Sequence, residues 1–206
     1  MIIAVDGPAA AGKGTVARAL AQHFGYHFLD TGTLYRRVGL ALLETSDDPR
    51  NVEAAVAIAQ NLNSRSYLEL ELRTEATGAA ASIVASIPEV RTALLAMQRN
   101  FANQQPGAVL DGRDIGTIVC PDADVKLFIT ASPEVRAKRR LAELQSYGAD
   151  VTYEAVLADI RLRDGRDKTR AVAPLVPAKD ATVIDTSEMT AEQAIAAAIK
   201  VASSAG

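Results

Sequence analysis

The chain has 206 residues, 49% of them hydrophobic and 23% charged, which suits one globular domain with an ordinary core. A formal net charge of −3 excludes a global basic field of the kind that gathers nucleic acid. The single cysteine, Cys120, excludes an internal disulfide and a cysteine-built zinc site. No stretch approaches ~18 uninterrupted apolar residues, and Met1–Asp6 has neither a basic region nor a long apolar run. These features predict a soluble, cytoplasmic chain with no membrane or nucleic-acid partner.

The predicted elements alternate. Residues 2–5 are a short apolar strand ending in Asp6-Gly7, followed by a Gly/Ala loop and a helix over 13–24 with Gly25 as its C-cap. His27–Asp30 is a second strand. Helices are expected over 33–44 and 51–62. Ser66–Leu72 alternates and predicts a strand or hairpin arm. A small-residue helix ends in Ser82, and Pro88–Phe101 forms the next helix. Ala108–Leu110 is a strand closing on Asp111-Gly112, and Val125–Thr130 another. Ser132-Pro133 opens a helix to about Tyr147. Gly148 breaks it, and Thr152 caps one to about Arg166. Thr182–Asp185 is the last strand, and Thr190-Ala191-Glu192-Gln193 is a capping box for a C-terminal helix. Apolar strands alternating with helices imply an α/β fold, a parallel sheet covered on both faces.

Gly7-Pro8-Ala9-Ala10-Ala11-Gly12-Lys13-Gly14-Thr15 sits between strand and helix, as a phosphate-binding loop must. Small side chains let backbone N–H groups face phosphate oxygens, and the helix that follows presents its positive end. Lys13 can reach the outer phosphates of ATP and the Thr15 hydroxyl can hold Mg²⁺. A carboxylate must share that ion: Asp111 is the leading candidate, with Asp6 and Asp30 behind it. A turn or cap role accounts equally well for Asp30.

Three further segments stand in order: Asp30-Thr31-Gly32-Thr33-Leu34-Tyr35-Arg36, Asp111-Gly112-Arg113-Asp114-Ile115-Gly116-Thr117, and Arg166-Asp167-Lys168-Thr169-Arg170-Ala171-Val172-Ala173-Pro174-Leu175. With the phosphate loop, whose GKGT ending is that of nucleoside-monophosphate kinases, they closely resemble the bacterial cytidylate kinase family over essentially the whole chain. The resemblance implies a P-loop NTPase-type three-layer fold with a core over 1–35, 104–145 and 168–206. It implies a nucleoside-monophosphate-binding insert over 36–103 and a helical lid over 146–167. The implied reaction moves the γ-phosphoryl group of ATP to CMP or dCMP with Mg²⁺, in a monomer.

The resemblance also implies residue roles. Arg36 and Arg113 would hold the acceptor phosphate, an arrangement suited to bidentate guanidinium contacts. Thr31 belongs to the same CMP set. Ser82, Arg91, Asp114 and Arg170 would read the base, and Arg163 and Asp167 the sugar hydroxyls. Asp114 can accept from the cytosine amine while Arg91 and Ser82 donate to N3 and O2. Uracil would leave those groups mispaired. Lys13, Arg163 and Arg166 are the catalytic set. Many bacterial members carry a longer β-insert where this chain, around Ser64–Arg73, is short.

Each site has a plainer alternative. Asp114 could simply pair with Arg113, and Arg91 could be a solvated helix residue. Seven of the sixteen arginines fall between Arg136 and Arg170. Of these, Arg136, Arg139 and Arg140 fit a lid or a solvated helix face. His23 and His27 read as packing or surface residues, and Cys120 as a buried thiol. Other readings are a UMP/CMP or AMP kinase, and a nucleotide-binding switch without turnover.

Overall fold

The computed structural model describes residues 1–62 and 67–204. Five strands, β1 (Ile2–Asp6), β2 (His27–Asp30), β3 (Ala108–Gly112), β4 (Val125–Thr130) and β5 (Thr182–Asp185), form one sheet in the order β2-β3-β1-β4-β5. The registers β1–β3, β1–β4 and β4–β5 are all parallel. The central strands β1 and β3 are buried almost throughout, as their apolar runs require.

By contact, the chain divides into two compact units, residues 1–29 with 102–206, and residues 30–101. In the first, α1 (Lys13–Phe24) and α9 (Ala191–Ser203) pack through Val16, Leu20, Ala194 and Ala198 onto Ile3, Val5, Leu127 and Ile129. The Thr190–Gln193 capping box forms as the sequence implies, and Gly25 takes φ 67° at the end of α1. Two further helices, α7 (Pro133–Ser146) and α8 (Tyr153–Thr169), pair through Ala137, Leu144, Val156 and Ile160. Ser132 and Thr152 cap them, each accepting from an N–H three residues on.

The second unit is helical: α2 (Thr31–Glu44), α3 (Val52–Gln60), α4 (Glu69–Leu72), α5 (Glu75–Val84) and most of α6 (Pro88–Ala102). Its core is Leu34, Val38, Leu42, Val84, Val90 and Leu94. The strand or hairpin arm expected over Ser66–Leu72 is corrected: Tyr67 and Leu68 belong to no regular element and Glu69–Leu72 is one helical turn, while residues 63–66 lie outside the described residues. Glu71 accepts from the Leu68 N–H at 2.9 Å and Arg73 reaches back to Glu69 at 2.6 Å. These local bonds favour helix over the alternating pattern. Among the described residues no single helix is long and apolar enough to cross a membrane.

Candidate active site

The loop after β1 is built by its small residues. Gly7 has φ 146°, and a Cβ there would stand 1.9 Å from the Ile129 carbonyl oxygen, so only glycine fits. Ala10 and Gly12 also take positive φ, 59° and 90°. The loop's carbonyls are held from outside. Lys13 Nζ donates to Pro8 O at 2.9 Å, Arg136 Nη1 to Ala9 O at 3.2 Å, and Thr186 Oγ1 to Ala11 O at 3.2 Å. Ala9 and Ala10 form a tight turn between β1 and α1. A small-residue loop with positive-φ residues leading into a helix N-terminus turns backbone N–H groups toward an anion, and is an anion cradle.

Around that cradle the first unit gathers carboxylates and guanidiniums. Lys13 is buried with its Nζ 3.8 Å from Asp111 Oδ1 at the end of β3. The Asp111 Oδ2 lies 3.4 Å from where a Cβ on Gly14 would stand, so the glycine of GKGT leaves space between that carboxylate and the start of α1. Thr15, in the first turn of α1, is exposed.

Past β3 the chain makes a one-turn π-helix, Ile115–Val119, which the sequence pattern did not reveal. Asp6 fixes it: its buried carboxylate accepts from the Ile115 and Gly116 N–H groups at 2.8 and 2.7 Å. Burial, with the charges of Asp114 and Asp111 adding to it, pushes Asp6 from 3.8 to about 6, even though both N–H bonds pull the other way. Asp6 is therefore a clasp between strand end and turn.

That turn presents Arg113 and Asp114. Arg113 Nε donates to Asp167 at 3.0 Å, so α8 orients it. Asp114 faces Arg170 at 3.5 Å, both side chains being buried. Arg170 is shaped by its own loop, its Nε donating to Ala173 O, while the Leu175 N–H donates to Asp167 O at 2.7 Å. Thus Arg113, Asp114, Asp167 and Arg170, named from the sequence, form one connected cluster.

Arg163, on α8, pairs with Asp159 at 3.5 Å. Burial draws its pKa below the ordinary guanidinium value; Asp159 opposes this and the nearby positive charges of Arg113 and Arg140 reinforce it. Three guanidiniums this close repel one another, and a polyanion would relieve that. Arg166 Nη1 is buried with no hydrogen-bond partner among the described residues.

The solvated-face reading of Arg136 is overturned: the residue is 2% exposed and its guanidinium forks onto Asp164 at 2.9 and 2.5 Å. Arg139 likewise turns inward, to the Thr186 hydroxyl at 2.9 Å and carbonyl at 2.7 Å. Arg140 pairs with Glu143 at 2.8 Å. Charge clustering gives the neighbourhood of these residues but not which face of α7 looks inward.

The second unit holds the other named residues. Thr31 is buried at the start of α2. Arg36 donates to Leu72 O at 2.7 Å. Arg91 is buried rather than solvated; it donates to Ala85 O at 3.2 Å and lies 5.6 Å over the Tyr35 ring. Ser82 Oγ is buried with no hydrogen-bond partner among the described residues. His23 and His27 are exposed, His23 against Phe24 and His27 on Gln105 O, and Cys120 is buried.

Comparison with known proteins gives the family. A family model described as cytidylate kinase matches residues 3–204. A cytidylate kinase from Rhodospirillum rubrum is 57% identical, over 98% of this chain and 96% of its own length. One from Methylocella silvestris is 56% identical, over 100% and 95%. Among solved structures, an uncharacterized protein from Eubacterium ventriosum matches with a TM-score of 0.57 at 15% identity, covering 97% of this chain and 96% of that one, a likeness of fold. With the phosphate loop, the arginine–aspartate cluster and the match across the chain in agreement, the protein belongs to the cytidylate kinase family, phosphotransferases that phosphorylate CMP and dCMP with ATP.

Proposed function

We propose the following division of labour for ATP-dependent phosphorylation of CMP and dCMP in this chain. The amides of residues 9–12 and Lys13 bind the ATP phosphates. Arg113, oriented by Asp167, holds the acceptor phosphate, and Asp114, backed by Arg170, reads the cytosine amine. Arg163 and Arg166 meet charge on the transferring phosphoryl group. In the same proposal Thr31 and Arg36 serve CMP and its phosphate, and Ser82 and Arg91 the base. The chain acts as a cytoplasmic monomer, and phosphate passes directly from donor to acceptor with no covalent enzyme intermediate.

One observation carries this reading. Asp111, 3.8 Å from Lys13, and Arg113, held by Asp167, lie two residues apart at the tip of β3. Donor-binding and acceptor-binding groups therefore share one strand end, as alignment for transfer requires.

Magnesium fits the same corner. Thr15 and Asp111 offer hard oxygen donors near the start of α1 and the end of β3. That suits an ion held by few protein ligands and completed by phosphate and water. When bound it would supply charge neutralisation on the phosphate oxygens.

The decisive measurement is kcat/KM for CMP, dCMP, UMP and AMP with ATP and Mg²⁺. CMP and dCMP should exceed UMP and AMP by about a hundredfold or more, on the scale set by mispaired buried polar groups. Arg113→Ala should raise KM for CMP far more than KM for ATP; equal losses would remove it from the acceptor side. Asp114→Ala should narrow the CMP-over-UMP ratio, and an unchanged ratio would take it out of base reading.

A further inference from the structure

We infer that Arg136 and Asp164 are a positioning pair that locks the helix bearing Arg163, Arg166 and Asp167 onto the phosphate loop. Arg136 makes contacts with three separate parts of the first unit. Its Nε donates to Ala131 O at 2.9 Å, just past the end of β4. Its Nη1 donates to Ala9 O at 3.2 Å, inside the phosphate loop. Both terminal nitrogens meet the Asp164 carboxylate on α8. One guanidinium thus ties sheet, loop and helix together, using the planar fork that lysine lacks.

The path continues from Asp164. The residue before it is Arg163 and the residue three on is Asp167, which holds Arg113. The chain of contacts therefore runs from the loop carbonyl at Ala9, through Arg136 and Asp164, along α8, to the arginine after β3. A shift of α8 by a fraction of an ångström would move the donor-side and acceptor-side groups relative to each other. Misplacement on that scale lowers turnover without abolishing binding. The Ala9 contact adds a second effect: it holds one loop carbonyl outward, so the neighbouring amides face the anion. Neither residue touches the reacting atoms in this account.

The inference rests on the assignment of Arg163 and Arg166 above, and the experiment separates the two. Replacing a buried ion pair by apolar groups of similar volume is often neutral for stability, whereas removing one partner is not. Arg136→Met, Asp164→Leu and the double variant are compared with Arg136→Lys, Arg163→Ala and Arg166→Ala. For each, kcat and both KM values are measured per folded molecule, alongside the thermal midpoint. The single apolar variants should melt early and the double variant should recover. If the pair positions α8, the double variant should still show kcat down by about tenfold or more, with KM for ATP and CMP within about threefold of wild type. Arg136→Lys, which keeps the charge and loses the fork, should show the same split, and it decides the matter if the double variant does not fold. A double variant or lysine variant with normal kcat per folded molecule would overturn the pair's role and leave it purely structural. Normal turnover in both Arg163→Ala and Arg166→Ala would instead overturn the underlying assignment.

Discussion

At the scale of single residues, Asp6 shows how a carboxylate at a strand end serves structure. The sequence offered it as a metal ligand behind Asp111, but its two oxygens are occupied by the Ile115 and Gly116 N–H groups. Its raised pKa has a thermodynamic consequence. An ordinary carboxyl loses its proton near 3.8, whereas folded Asp6 keeps it until about 6. The folded state therefore binds more protons between those values. The stability this confers is full below about 4 and is lost as pH rises through about 6, a fall of roughly 3 kcal/mol at ~1.4 kcal/mol per unit. In urea unfolding, the stability of wild type minus that of Asp6→Asn should decline by about that amount from acidic to neutral pH. A flat difference would show that Asp6 titrates normally. Lys13 is the other informative residue, since its Nζ is held by Pro8 O and lies near Asp111. Lys13→Ala should lower kcat by about a hundredfold or more, as expected for loss of a charge poised at the phosphoryl group, with the circular dichroism spectrum unchanged. Near-normal turnover would refute its role.

At the scale of elements, most of the fold was legible because strand, loop and cap carry local signals. Strand β1, the glycine-rich loop, the Ser132, Thr152 and Thr190 caps and the Gly25 stop each depend on residues within a few positions of one another. The misreading at Glu69–Leu72 has a physical source: period-two leucines look like a strand, and only Glu71 and the Glu69–Arg73 pair argue otherwise. The π-turn at Ile115–Val119 was hidden for the opposite reason, since Asp6, more than a hundred residues earlier in the chain, holds it. The candidate site divides in the same way. Arg113, Asp114, Asp167 and Arg170 belong to recognisable segments, while Arg136 and Asp164 meet only after α7 and α8 have packed. Helix packing also makes a sharp demand at Gly39, where an added Cβ would approach Ala81 N to 2.9 Å and Ala80 Cβ to 3.0 Å. Gly39→Ala should force α2 and α5 apart and cost about 1–3 kcal/mol in a denaturant titration; a stability equal to wild type would mean the helices tolerate the shift.

At the scale of the whole molecule, net acidity conceals local concentration of positive charge. The overall −3 says little about ligands, whereas Arg113, Arg140 and Arg163 lie near enough for the first two to depress the third. Folding gathers like charges that a bound polyphosphate would neutralise. Anions that bind only the folded state stabilise it by mass action, by about 2.7 kcal/mol at a hundred times Kd. A non-hydrolysable ATP analogue should therefore raise the melting temperature of the wild-type chain, and the rise should shrink in Arg163→Ala when both are followed by differential scanning calorimetry. Equal rises would place the anion elsewhere.

The one sulfhydryl in the sequence offers a built-in clock for this architecture. Cys120 closes the π-turn through its N–H to Ile115 O at 2.7 Å and is 8% exposed. Opening of that turn bares the thiol to an alkylating reagent, so a labelling rate slower than that of a free thiol times the opening of the segment that carries Arg113 and Asp114.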